Sequence, residues 1–141
     1  MKYLLFLLIL LTGLGCQQYT LEKLPENRLH FGNTGGVTGE LREYILLLDS
    51  GRLLFHDPLT DEVERVGKLK KEQLANVTQE LEKVSFAQRG PAANRNTVLI
   101  YYHDGQKEEV QWNGPQSAPS PATQACFEDL MTMVREIRGQ K

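Results

Sequence analysis

Two thiols, three histidines and one glycine-rich stretch are the residues of this chain whose types could do chemistry. Cys16 closes the run Thr12-Gly13-Leu14-Gly15-Cys16, directly after an apolar block at residues 4–11. Small residues at such a place let a chain enter a peptidase site in extended form, and leave the thiol beside the cut. Cys126 stands instead in helical register with Ala122 and Leu130, which predicts a small buried hydrophobe. A nucleophilic thiol there would need a base and an electropositive setting. His30, His56 and His103 share no spacing of the i, i+2 or i, i+4 kind, so a zinc site would have to be assembled by folding. All three fall near predicted strand ends, where half-exposure is the ordinary state. The carboxylate neighbours Asp61-Glu62, Glu108-Glu109 and Glu128-Asp129 face apart on a strand or helix, and read as solvated charges rather than acid–base pairs. No Gly-x-Ser-x-Gly elbow occurs. The expectation is no catalytic residue, no metal and no cofactor, hence no enzyme.

The leader gives Cys16 its meaning. One positive charge, Lys2, precedes an apolar block too short for the roughly 20 residues that span a bilayer. Residues 1–15 therefore read as a signal peptide. Leu14, Gly15 and Cys16 resemble the lipobox of bacterial lipoproteins, with Gly13 where leucine is usual. The resemblance implies cleavage before Cys16, a diacylglycerol thioether on its sulfur and often an acyl chain on its amino group. One chain anchors marginally and two or three anchor durably, at about 0.8 kcal/mol per buried methylene. Gln17 in place of aspartate resembles lipoproteins forwarded to the outer membrane, and no acidic run follows the cysteine. That favours the periplasmic side.

Without residues 1–15, roughly 125 residues remain, enough for one domain with its own core. The precursor carries a formal charge of −2, and loss of Lys2 makes it more negative. No basic face of the nucleic-acid-binding kind is visible. With Cys16 as a thioether, Cys126 has no disulfide partner.

Residues 16–28, polar with Pro25, read as a lipidated tether reaching on the order of 40 Å at about 3.3 Å per residue. The domain occupies residues 29–141. Residues 29–31 suggest a short edge strand, residues 41–48 and 52–56 a hairpin about Asp49-Ser50-Gly51, and residues 63–66 a third short strand. Leu74, Val77, Leu81 and Val84 mark one buried helical stripe. Residues 98–103 and 106–112 flank Asp104-Gly105, a strong hairpin signal, and Lys107, Glu109 and Gln111 form a wet face. Ser120-Pro121 is a cap with proline at the first helical position, followed by the stripe Cys126, Leu130, Met133, Val134 and Ile137. The expected class is α+β: an antiparallel sheet of about five or six strands, two helices on one face, and the other face largely exposed.

Three loops remain for binding. Gly32, Gly35, Gly36, Val37, Thr38 and Gly39 lie in a glycine-rich stretch, but Glu40 and a strand follow where a phosphate loop needs lysine and a helix. Residues 87–96 hold Arg89 and Arg95, and residues 113–120 follow Trp112. Arginine and tryptophan often serve as interface anchors, and long loops on a rigid scaffold often carry binding. The order of elements around Gly35-Gly36-Val37-Thr38-Gly39 resembles emfourin, a small inhibitor of thermolysin-like metalloproteases such as protealysin. Val37 and Thr38 stand where that family has phenylalanine and alanine. Residues 31–39 also resemble the Phe-Gly-x-x-Gly-Gly-x-Thr-Gly stretch of a group of bacterial lipoproteins, which implies membership and no activity. The expected function is a lipid-anchored, non-enzymatic protein-binding module of the envelope, with protease inhibition its sharpest form. The alternatives are an accessory component of an envelope assembly complex, or a small-ligand binder.

Overall fold

The structure is a computed structural model that describes residues 18–35, 42–87 and 94–140. Its frame is one six-stranded antiparallel sheet in the order β4-β3-β2-β1-β5-β6. The strands are β1 (Arg28–Gly35), β2 (Arg42–Leu47), β3 (Arg52–Asp57), β4 (Glu62–Lys68), β5 (Arg95–His103) and β6 (Gln106–Trp112). Two helices, α1 (Lys71–Leu81) and α2 (Pro121–Gly139), complete the α+β fold.

The local signals act as their chemistry requires. Asp104 and Gly105 both take positive φ, 49° and 71°, which matches the twist of the strands they join. Gly51 takes φ 71° at the β2–β3 turn. Ser120 is extended, and its Oγ accepts the Thr123 N–H at 3.1 Å, while Pro121 occupies the first helical position. At the start of α1, Gln73 Oε1 accepts the Lys70 N–H at 2.9 Å.

One sheet face carries Leu29, Phe31, Leu46, Leu53, Leu99, Val110 and Trp112 into a core with Val77 and Leu81 of α1 and Cys126, Leu130 and Val134 of α2. Each such large side chain contributes about 1.5–3 kcal/mol by leaving water. A bulge at Leu53/Leu54 lets Val66 turn into this core from β4.

Two expectations are corrected. The segment from Leu29 is a central strand, flanked by β2 and β5, and not an edge. Its side chains alternate between two buried faces, which a short apolar run cannot reveal. The second face is also not bare: Ile45, Leu47 and Leu54 are buried beneath Tyr19, Leu21, Leu24 and Val63. Much of the stretch expected as a tether thus packs on the sheet. It is fastened by Arg28, whose Nη1 donates to the Pro25 carbonyl at 2.9 Å, and by a hydrogen bond from Arg52 to the Tyr19 hydroxyl.

Candidate functional site

Two places on this frame bring polar or binding-competent residues together. The first is a buried chain on the second sheet face. Cross-strand register sets His30 of β1 against Ile45, Gly32 against Glu43, and Glu43 against His56 of β3. Glu43 reaches both histidines: its Oε2 lies 3.0 Å from His30 Nδ1 and its Oε1 3.2 Å from His56 Nδ1. His56 Nε2 lies 3.0 Å from Asp61 Oδ1 in the β3–β4 turn. Arg28 Nε donates to His30 Nε2 at 3.0 Å. Arginine has no acceptor, so His30 Nε2 must hold the lone pair and its Nδ1–H donates to Glu43. His56 faces a carboxylate from each ring nitrogen, Glu43 at Nδ1 and Asp61 at Nε2.

All four ring nitrogens therefore have protein partners. The chain ties three strands and a turn together, and presents no nitrogen to a substrate or ion. Among the described residues no group of three or more histidine, cysteine or acidic side chains could hold a metal ion. The strand-end expectation of a half-exposed His30 is overturned, since it is buried beside Glu43. Glu43 was not singled out from the sequence. Its signal in the sequence is a carboxylate next to Arg42 that stands in alternation with the apolar Ile45 and Leu47, on the same side of the strand.

His103, at the β5–β6 turn, is different: partly exposed, with Nε2 2.9 Å from Glu108 and Nδ1 3.6 Å from Asp104. The bond to Glu108 holds its pKa above the ordinary histidine value. Burial pushes the neighbouring Tyr101 hydroxyl up, with Asp104 and Glu108 adding to it. Burial, with smaller effects from Glu80 and Asp129, pushes the Cys126 thiol up to about 12. A thiol of that kind is no nucleophile at neutral pH.

The second place is one end of the sheet. β1 leaves it at Gly35, paired with Arg95 at the start of β5. β2 enters at Arg42, paired with Asn33. β6 leaves at Trp112, paired with Thr97. The three loops picked out from the sequence therefore all join strand ends at this one end. The β3–β4 turn, following the Glu43–His56 pair, lies there too.

Of the individual candidates, Arg95 is exposed at this end. Gly36, Val37, Thr38, Gly39, Arg89 and Cys16 lie outside the described residues. Trp112 is a correction: it has no exposed surface, and its indole N–H donates to Gln124 Oε1 at 2.8 Å. It is a core residue seated against α2 and cannot touch a partner. Gly32 and Gly35 are also backbone requirements. A Cβ on Gly32 would lie 2.1 Å from the Arg42 carbonyl oxygen, and one on Gly35 would lie 1.8 Å from that of Asn94. Bulky replacements at these two glycines strain the sheet, so they do not test binding alone.

Two shallow open depressions occur at the surface. One of about 360 Å³ is lined by Gln18, Tyr19 and Thr20 with residues 61–64. The other, of about 470 Å³, lies between Pro115 and the start of α2. Among the described residues no helix is long and apolar enough to cross a membrane. Comparison of the chain with protein-family models finds no match, and comparison with curated proteins finds none either.

Proposed function

We propose that this protein is a lipid-anchored component of the bacterial cell envelope that binds another protein through the strand-end surface around Asn33, Arg95 and Thr97. The observation that carries the reading is the register: three sequence-separate loops join the ends of adjacent strands at one end of the sheet. A rigid scaffold with clustered connections is the usual setting for protein recognition. The anchor rests on the leader and on Leu14-Gly15-Cys16. Gln17 favours the outer membrane, with the domain in the periplasm. The chemistry found among the described residues is closed on itself, which favours binding over turnover.

The test is a crosslinking pull-down of the full-length protein from its native envelope, with Cys16→Ala and Arg95→Glu as comparisons. The expected result is a stoichiometric partner that both substitutions reduce. A protease as partner would establish the inhibitory form, and assembly machinery would establish the accessory form. Absence of any partner above the Cys16→Ala background refutes the binding reading.

A further inference from the structure

We infer that the β3–β4 turn, with Leu59 at its tip, is a second membrane contact that lies beside the lipid anchor and sets the domain's orientation. The inference rests on the proposed lipidation of Cys16. The packed segment after the cysteine supplies the geometry. Tyr19, Leu21 and Leu24 are held on the second sheet face by Ile45, Leu47 and Leu54, with Val63 packed on the same cluster. Gln18 and Tyr19 line the same depression as Asp61, Glu62, Val63 and Glu64. Cys16 is two residues from Gln18, and two residues of extended chain reach at most about 7 Å. Acyl chains on Cys16 would therefore enter the bilayer close to the start of β4, because residues 19–25 are packed on the sheet and give no free reach.

Leu59 lies two residues before Asp61 and is 68% exposed, the single exposed large hydrophobic residue among those described. Its turn is preformed. The Leu59 N–H donates to Asp57 Oδ1 at 2.9 Å, and the Asp61 N–H to the Asp57 carbonyl at 2.8 Å. The Asp61 carboxylate is held by His56 at 3.0 Å. The buried His30–Glu43–His56 chain thus fixes the turn from beneath, and Leu59 enters an apolar layer without ordering a loop. Exposed Asp61, Glu62 and Glu64 keep the contact shallow, and select a phospholipid surface of low negative charge. The loop-bearing end of the sheet then faces the bilayer, and its partner is met at the membrane surface.

The test uses Leu59→Trp in the full-length protein purified from its native membrane, after the mass of the Cys16 peptide has established the lipid. Gln106→Trp, exposed at the opposite end of the sheet, is the comparison, and buried Trp112 supplies a constant background. Both variants are placed in phosphatidylcholine vesicles with and without chain-brominated lipid. The expected result is that bromine removes about half of the Leu59→Trp emission, as shallow burial at the acyl boundary requires, and leaves Gln106→Trp unchanged. Lipidated protein in which Leu59→Trp is unquenched, or in which both tryptophans are quenched alike, overturns the inference while the anchor stands. A Cys16 peptide without lipid removes the anchor, and the contact with it.

Discussion

Replacing Gly32 by alanine should unfold this protein well below its normal melting temperature, for a reason that lies wholly in the backbone. The new Cβ would stand 2.1 Å from the Arg42 carbonyl oxygen and 3.0 Å from Glu43 Cα, where ordinary contact begins near 3.4 Å. Neither atom belongs to a flexible side chain, so β2 must retreat from β1 by more than an ångström. Overpacking of this kind costs about 1–3 kcal/mol. Each ladder hydrogen bond it disturbs removes about 1 kcal/mol more. The loss of unfolded-state freedom on replacing glycine returns roughly 0.4–1 kcal/mol. The balance is a loss of about 3 kcal/mol from a total that is typically about 5–15. Thermal unfolding followed by circular dichroism should show a fall of roughly 10–15 °C. Gly139→Ala separates the causes: Gly139 is exposed at the end of α2, its φ is not positive, and nothing lies within 4 Å of its would-be Cβ. It should leave stability unchanged or raise it by up to about 1 kcal/mol. If Gly32→Ala melts no lower than Gly139→Ala, the close approach of β1 to β2 is not what excludes a side chain there, and the reasoning fails.

Other perturbations follow the same logic. Glu43→Gln keeps one acceptor oxygen for two imidazoles and should cost about 2 kcal/mol, read as a lower denaturant midpoint. Asp61→Asn, on a carboxylate that is 80% exposed, should cost under about 0.5 kcal/mol, and equal losses would refute the buried-chain account. Glu108→Gln should lower the His103 titration midpoint seen by NMR, because the Glu108 bond is the largest cause of its raised pKa. A raised folded-state pKa stabilises below the unfolded value near 6.5 and ceases to do so as pH rises through the folded value. The variant should therefore lose stability at pH 5 and not at pH 9, and the reverse pattern would contradict this sign. Cys126, with its thiol pushed up to about 12, should resist alkylation at pH 8 in the folded protein and react readily in denaturant; rapid modification of the native form would show that the thiol is not buried.

Local chemistry determined much of this protein. The positive φ angles of Asp104 and Gly105, the Ser120 cap with Pro121, the alternation that leaves Lys107 exposed beside buried Val110 and Trp112, and the burial of Cys126 all follow from short-range preferences. Such signals operate over a few residues, so they are present in the sequence whatever the rest of the chain does. The α+β class follows from them, because hairpins give an antiparallel sheet and one-faced helices need an apolar surface to cover.

Tertiary structure decided what depends on partners distant in sequence. Central placement of β1 required β5, sixty or more residues away, to pair on its free side. A short apolar run carries no record of that. The second apolar face, closed by Tyr19, Leu21 and Leu24, was hidden because those residues are scattered among polar ones and bury only against Ile45, Leu47 and Leu54. His30, Glu43 and His56 have no meaningful spacing along the chain, and only cross-strand register makes them neighbours. The sequence by itself determined the turns, the helical stripes and with them the α+β class. Which loops share an end of the sheet was decided by non-local pairing, whose energy no single segment contains.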